Sequence, residues 1–278
     1  MIQKSYDDSP SLYLIPTPIG NLDDITVRAL NVLKTVDEVL CEDTRDTGIL
    51  LQKYDIKKKL VSCHEYNEEK MIDYVVSKLK EGYNLGLVTD QGTPIISDPG
   101  YIVARGAIQA GYNVISLPGA TAFVPALTSS GIEPSPFLFY GFLNAKNSKQ
   151  IEELNSLKDY KFTIIFYESV HRLRETLENM LQVFGDRNIS LCRELSKIHE
   201  EFTRGKISEV VSLVDSMKGE FVLVVEGNKE AIDYSSLDIV DHVKMYLDEM
   251  SEMDAVKKVA KERGVAKSVI YQEYHKRK

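Results

Sequence analysis

The chain lacks the features that announce disulfide, metal or membrane chemistry. Its three cysteines, Cys41, Cys63 and Cys192, are far apart and form no C-x-x-C pair. Neither a disulfide framework nor a zinc site is indicated, and a reducing cytoplasm is the expected setting. There is no H-x-x-x-H and no acidic ladder of EF-hand type, so no metal is expected. No apolar run approaches the ~20 residues of a membrane helix. The opening MIQKSYDDSPS has no apolar signal region, so export is not expected. Glycine is scarce where a nucleotide-binding fold needs it most. The first strand end, LYLIPTPIGNLDD (Leu12 to Asp24), holds one glycine, whereas a dinucleotide loop needs several for backbone to approach pyrophosphate. Pro16 and Pro18 also remove N–H donors there. That turn is a poor phosphate cradle. Rigid and apolar, with free carbonyls, it suits a cationic or uncharged ligand, or serves as a stiff turn with none.

What is present is ordinary for a globular protein. Of 278 residues, 43% are hydrophobic and 27% charged, enough for roughly two domains of ~100–200 residues each. The net charge of −8 argues against a nucleic-acid partner, but the charge is uneven. Met253 to Lys278 carries +5 and the remainder −13. A basic appendage on an acidic body fits a polyanion partner or a solvated helical face.

Short apolar runs alternate with helical patterns. Strands are expected at Leu12–Pro16, Glu38–Cys41, Leu60–Ser62, Leu85–Thr89 and Asn113–Leu117. Their near-continuous apolar character suits parallel strands buried on both faces. Ile72, Val75, Val76 and Leu79 form one helical stripe, and Gly82 and Gly111 are placed to close two helices. SSGIEPSPF (Ser129 to Phe137) reads as a linker. Beyond it, Phe137–Phe142, Phe162–Tyr167, Ile189–Arg193 and Phe221–Val225 read as strands, with Glu200–Thr203 as a further, antiparallel one. Leu173, Leu177, Met180, Leu181 and Phe184 mark a helix. After Gly227, NKEAIDYSSLD is linker-like and three helical segments follow. The expected domains are thus 1–130, 131–229 and 237–278: two α/β domains and a small helical module.

Four strand ends carry the polar chemistry. LVTDQGTPIISDPGY (Leu87 to Tyr101) ends a strand and enters a helix. Ligands of open α/β sheets bind at such carboxyl ends. Asp98 there reads as a cap for a helix begun by Pro99. SLPGATAF (Ser116 to Phe123) is a third Pro/Gly turn, and the three turns together could wall one pocket. FYESVHRLRETLE (Phe166 to Glu178) places His171 and Arg172 in a first helical turn, against the helix dipole. Ser169 is the alternative, as a simple cap. CEDTRDT, SCHEYNEE and CRELSKIHEEFTRG set carboxylates beside Arg or His, which by itself is the usual pattern of surface ion pairs.

Read in order, LYLIPTPIGNLDDITVRAL, CEDTRDTGILL, TDQGTPIISDPG, LPGATA, IIFYESVHRL and CRELSKIHEEFTRG resemble the tetrapyrrole-methylase superfamily. Within it they resemble the ribosomal RNA small subunit methyltransferase I branch, from Leu12 to about Gly227, with a tail similar to that branch's C-terminal domain. The resemblance implies S-adenosylmethionine bound in the cleft between two α/β domains, 2′-O-methylation of a cytidine in the decoding region of 16S ribosomal RNA, and a homodimer. A sulfonium ligand with no phosphate also suits the proline turn. Carried over by position, the cofactor walls are Pro18, Asp90, Gln91, Gly92, Thr93, Ile96, Thr121, Ala122, Tyr167, Leu195, Phe221 and Val222. The branch commonly reads Ser-Asp-Ala-Gly-Thr-Pro, where this chain has Thr89 and Gln91. The Gln91 side chain is expected to point away from the cofactor. A general base or its partners are sought among Glu65, Glu168, His171 and Glu194. Arg45, Arg172 and Arg193 are candidates to hold phosphates or orient carboxylates. Lys257, Lys258, Lys261 and Lys267 are the RNA anchors expected of the tail. The rival readings are C-methylation of a porphyrinogen, which the basic tail disfavours, and a non-catalytic ribosome-binding assembly protein.

Overall fold

A computed structural model describes residues 3–5, 7–229 and 237–277. It divides into two compact units, Met1–Asn228 and Lys229–Lys278. The boundary expected near residue 130 falls between two sheets of the first unit. Most of the expected linker after Gly227 lies outside the described residues.

The first sheet is built from β1 (Ser11–Leu14), β2 (Glu38–Cys41), β3 (Lys59–Ser62), β4 (Leu85–Val88) and β5 (Asn113–Ser116). Its order is β3-β2-β4-β1-β5, and every pairing is parallel. The central strand β4, Leu-Gly-Leu-Val, is buried at all four residues. This is the cause of its continuous apolar character: helices cover both faces. Those helices are α1 (Val27–Thr35), α2 (Thr44–Lys53), α3 (Glu68–Lys80), α4 (Tyr101–Gln109) and α5 (Phe123–Ser129). Thr26 caps α1 by accepting the Ala29 N–H at 3.0 Å, and Asp43 caps α2 by accepting the Arg45 N–H at 2.7 Å. Gly82 and Gly111 follow α3 and α4 with φ of 94° and 93°, left-handed positions that cost glycine little.

The second sheet contains β6 (Phe137–Phe142), β7 (Thr163–Ser169), β8 (Asn188–Arg193), β9 (Glu201–Lys206) and β10 (Glu220–Val225), ordered β6-β7-β10-β8-β9. Only β6 and β7 run parallel, joined by α6 (Asn147–Leu157). The other three pairings are antiparallel, as expected for the strand near Glu200. Next comes α7 (Leu173–Phe184), whose Leu173, Leu177, Met180 and Phe184 are buried in the core of this half. A shorter helix, α8 (Ile207–Val211), follows β9.

Two expected caps are corrected. Helix α4 begins at Tyr101 with Gly100 as its N-cap residue, and Asp98 does not cap it. The buried Glu68 accepts the Gly100 N–H at 2.5 Å instead. Helix α7 has Arg172 at its N-cap with no side-chain cap, so neither His171 nor Arg172 lies inside its first turn and Ser169 is not a cap. The Ser169 carbonyl, not its hydroxyl, accepts the Arg172 N–H at 3.2 Å. The stretch expected as a linker at Ser129–Phe137 is short and pinned. Arg204 donates to the Ser129 and Ser130 carbonyls at 2.6 and 3.1 Å.

An apolar cluster ties the halves together. Ile19 from the first turn and Ala126 and Leu127 from α5 pack with Ile165, Cys192, Leu195, Val222 and Val224 of the second half.

The second unit contains α9 (Ile239–Lys244), α10 (Glu252–Glu262) and α11 (Lys267–Arg277). Val243, Ala255, Val256, Val259, Ile270 and Tyr274 form its core. Val265 is 41% exposed; it sits in the turn after Gly264, where no helix face directs it inward. Buried His242 lies between Glu262, 2.9 Å from Nε2, and Arg263, which donates to Nδ1 at 3.1 Å. Burial lowers its pKa. Among the described residues no helix is long and apolar enough to cross a membrane.

Candidate active site

Three strand ends of the first sheet are fastened into one floor. Thr17 and Gly92 exchange backbone hydrogen bonds, and the Thr17 hydroxyl donates to the Thr89 carbonyl at 3.1 Å. Thr93 in turn donates to the Ala120 carbonyl at 2.9 Å. Pro16 packs over Gly119 so tightly that a Cβ there would fall 2.5 Å from the proline Cβ. The first turn has therefore given its Thr17 N–H to structure, and its two prolines have none to give. Pro16, Thr17 and Pro18 thus offer a phosphate no free N–H.

Above this floor, facing the second sheet, lies a cleft of about 480 Å³, within the ~300–1,000 Å³ usual for small-molecule sites. Its walls include Asp90, Gln91, Gly92, Thr93 and Ile96 from the second turn, Thr121 and Ala122 from the third, and Tyr167, Leu195, Phe221 and Val222 from the other half. Eleven of the twelve cofactor candidates are thus brought together. Pro18 lines a smaller adjoining pocket of about 200 Å³ instead, and Asp90 and Gln91 belong to both. Gln91 is exposed. The Tyr167 hydroxyl accepts the Phe123 N–H at 3.2 Å, anchoring α5 across the cleft.

The catalytic candidates are dispersed. Glu168 lines the cleft but is 2% exposed. Its carboxylate takes two 2.9 Å hydrogen bonds from Arg172, one of 2.6 Å from Thr176 and one of 2.7 Å from the Ser169 N–H. Arg172 also donates to the Leu143 carbonyl at 3.0 Å, so its guanidinium is committed inward. Glu194 accepts from Lys197 at 3.0 Å and from the Glu220 N–H at 2.9 Å, and does not line the cleft. These partners hold its pKa below the ordinary glutamate value despite partial burial. Glu65 and His171 are exposed and lie off the cleft lining.

Arg45 is exposed and clamped to Asp43, with 2.5 Å between Nη2 and Oδ2. Arg193 pairs with Glu201 at 2.8 Å. In the second unit Lys257 pairs with Asp254 at 2.9 Å, and Lys258 lies 3.8 Å above the Tyr246 ring. Lys261 and Lys267 are exposed on α10 and α11.

Two unpaired acidic residues of the cleft lining, Glu42 after β2 and Asp98, were not among the site candidates drawn from sequence. Among the described residues neither has a hydrogen-bonding or ion-pair partner. Burial is the first cause raising the pKa of Glu42, Asp90 and Asp98, and repulsion from neighbouring carboxylates adds to it. Asp98 is pushed up to about 7. The loop that presents it is strained: Ile95 and Ser97 have φ of 78° and 65°. Side chains resist this region, at about 1–3 kcal/mol each. The bulge at Gly141 in β6 makes room, since a Cβ there would meet the Ser97 hydroxyl at 2.9 Å. In sequence, Ser-Asp-Pro-Gly looks like a cap; only the fold shows that the aspartate caps no helix and lines the cleft.

The cleft's ionisable lining is thus Glu42, Asp90, Asp98, Glu168 and Glu220, besides Tyr167, with no Lys, Arg or His among the described residues. Such a site favours a cation and repels an anion. No group of three or more His, Cys, Asp or Glu among the described residues is placed to hold a metal ion. The three cysteines are buried and free.

Comparison with known proteins gives this arrangement its relatives. The family model for tetrapyrrole (corrin/porphyrin) methylases matches residues 11–211. The chain is 47% identical to ribosomal RNA small subunit methyltransferase I of Bacillus subtilis (strain 168), covering 96% of this chain and 95% of that one. It is 39% identical to the protein of the same name from Escherichia coli O157:H7, covering 97% and 96%. Among solved structures, uroporphyrin-III C-methyltransferase of Thermus thermophilus in complex with S-adenosyl homocysteine superposes with a TM-score of 0.58 at 16% identity, covering 78% of this chain and 97% of that one. A cobalt precorrin-4 methyltransferase gives 0.58 at 17%, covering 81% and 98%. At that identity the likeness is one of fold. The chain belongs to the tetrapyrrole methylase family and, within it, to the ribosomal RNA small subunit methyltransferases I.

Proposed function

We propose that this chain transfers a methyl group from S-adenosylmethionine to the 2′-hydroxyl of a cytidine in the decoding region of 16S ribosomal RNA. The observation that carries the reading is the all-acidic ionisable lining of the cleft, in a chain similar over nearly its whole length to ribosomal RNA methyltransferases. A sulfonium cation fits beside Glu42, Asp90 and Asp98. An adenosine fits apolar walls such as Ile96, Leu195, Phe221 and Val222. When bound, the donor supplies an electrophilic methyl. The chain's own part is to hold that methyl in line with the ribose oxygen, and such positioning contributes ~7–11 kcal/mol.

The acidic lining also weighs against a porphyrinogen, whose several carboxylates would meet only like charge. An RNA needs to bring only a neutral ribose hydroxyl to the cleft. Its phosphates can stay outside, on cationic side chains such as Lys261 and Lys267 of the second unit. The homodimer implied by the resemblance belongs to the same proposal.

The test is mass spectrometry of 16S ribosomal RNA from cells with and without this gene. Loss of one ribose methyl at a decoding-region cytidine, restored by the gene, is the expected result. An unchanged methylation pattern would overturn the RNA reading and make a porphyrinogen the next substrate assayed.

A further inference from the structure

Among the described residues two cleft carboxylates, Glu42 and Asp98, have no hydrogen-bonding or ion-pair partner, and neither is among the four named from sequence. Glu168 and Glu194 have their oxygens occupied by Arg172 and Thr176, and by Lys197 and a backbone N–H, respectively. Glu65 and His171 do not line the cleft. Asp98 does. It has no hydrogen-bonding partner among the described residues, it caps no helix, and a strained loop seated in the Gly141 bulge presents it to the cleft.

We infer that Asp98 is the general base of methyl transfer, accepting the proton of the acceptor hydroxyl. This rests on the function proposed above. As the carbon–sulfur bond of the donor breaks and the new methyl–oxygen bond forms, the hydroxyl proton passes to an Asp98 carboxylate oxygen. A sulfonium, a carboxylate and a neutral alcohol become a thioether, a carboxylic acid and a methyl ether. Opposite charges thereby cancel inside a partly buried site, where low dielectric and neighbouring carboxylates favour their disappearance.

The groups facing Asp98 act in the same direction. Glu42 after β2 and Asp90 at the end of β4 repel its charge, and Tyr167 on β7 lies within its field. Glu168 and Glu220 complete the acidic lining but are held by Arg172 and Lys197. A base near 7 in the free protein is matched to neutral pH. A sulfonium placed beside it favours the carboxylate, so cofactor binding should release a proton where the neutral thioether product should not.

The experiment compares wild type with Asp98→Asn. Calorimetric titration with S-adenosylmethionine and with S-adenosylhomocysteine, in buffers of different ionisation enthalpy, reads proton release without any turnover. Wild type should release protons near pH 7 with the sulfonium only, and Asp98→Asn should release markedly fewer. On small ribosomal subunits, Asp98→Asn should lose about 10²–10⁴-fold in kcat. It should also lose the rise of kcat/KM with pH through about 7, the value of the free protein, while still binding the thioether. Asp98→Glu should recover part of the rate. Unaltered proton release in Asp98→Asn, an unaltered pH profile, or loss of thioether binding alone as the cause of inactivity would each overturn the assignment. If wild type methylates no ribosomal RNA, the proposed function fails, and the calorimetry still tests Asp98 by itself.

Discussion

Thr17 and Gly92 exchange two backbone hydrogen bonds, 2.9 Å from the Thr17 N–H and 3.1 Å from the Gly92 N–H. This small antiparallel bridge joins the turn after β1 to the turn after β4. It closes the floor of the cleft by using donors that a phosphate-binding turn would leave free. The floor depends equally on the packing of Pro16 against Gly119, and that packing is testable. Gly119→Ala puts a methyl 2.5 Å from a ring atom that cannot rotate away. Overpacking of this kind costs about 1–3 kcal/mol. The variant should unfold at lower urea concentration and bind S-adenosylhomocysteine more weakly. Unchanged stability would mean that the proline ring yields freely.

Glu168 is expected to matter first for stability. Glu168→Ala strips Arg172 and Thr176 of their acceptor inside the protein. Breaking a buried pair costs about 3–5 kcal/mol. The Arg172 side chain is 24% exposed, so water softens the loss to about 2–3 kcal/mol. Denaturant unfolding gives the number directly. A variant as stable as wild type would restore Glu168 as a candidate base.

Stability should depend on Asp98 and pH together. Burial and the carboxylates around it raise its pKa in the folded chain to about 7 from the ordinary aspartate value of 3.8. Between those values the folded state holds a proton that the unfolded state has released. Stability from this group therefore falls as pH rises from about 4 to about 7, and is level above that. Asp98→Asn removes the penalty. Its thermal midpoint should match wild type near pH 4, exceed it increasingly up to about pH 7, and keep a constant lead above that. A constant gap between about pH 4 and about pH 7 would contradict the shifted aspartate.

The second unit should govern RNA affinity through charge. Replacing exposed Lys261 and Lys267 by alanine should weaken RNA binding and flatten its salt dependence. The slope changes by about 0.7–0.9 for each phosphate that the protein no longer neutralises. S-adenosylhomocysteine affinity should be unaffected. Filter binding across a salt series decides it. An unaltered slope would place the RNA-binding cations elsewhere.

Much of this molecule is legible in its residues. Strands β2 and β6 fall where expected, and the others differ by a few residues at their ends. Burial on both faces forces a parallel strand to be apolar throughout, and that mark is local. The Pro and Gly turns that wall the cleft are legible for the same reason, since each sits immediately after its strand. Loops are harder. Ser-Asp-Pro-Gly and Glu-Ser-Val-His-Arg both look like helix caps, and both helices start later without them. Cap residues and site residues share the same short polar chemistry, so local sequence does not separate them.

The sequence by itself determined where the strands lie, which turns contain no phosphate cradle, and how charge divides between body and tail. Those properties follow from residue type and spacing alone. Tertiary structure decided which charges are free. Glu168 is bound by Arg172 only four residues away, yet its burial depends on packing across the sheet. Glu42, Asp90 and Asp98 come from distant segments, and only folding sets them around one cleft with no cation among its described lining. A carboxylate's proton affinity is a property of its surroundings, and the chain supplies those surroundings only once it is folded.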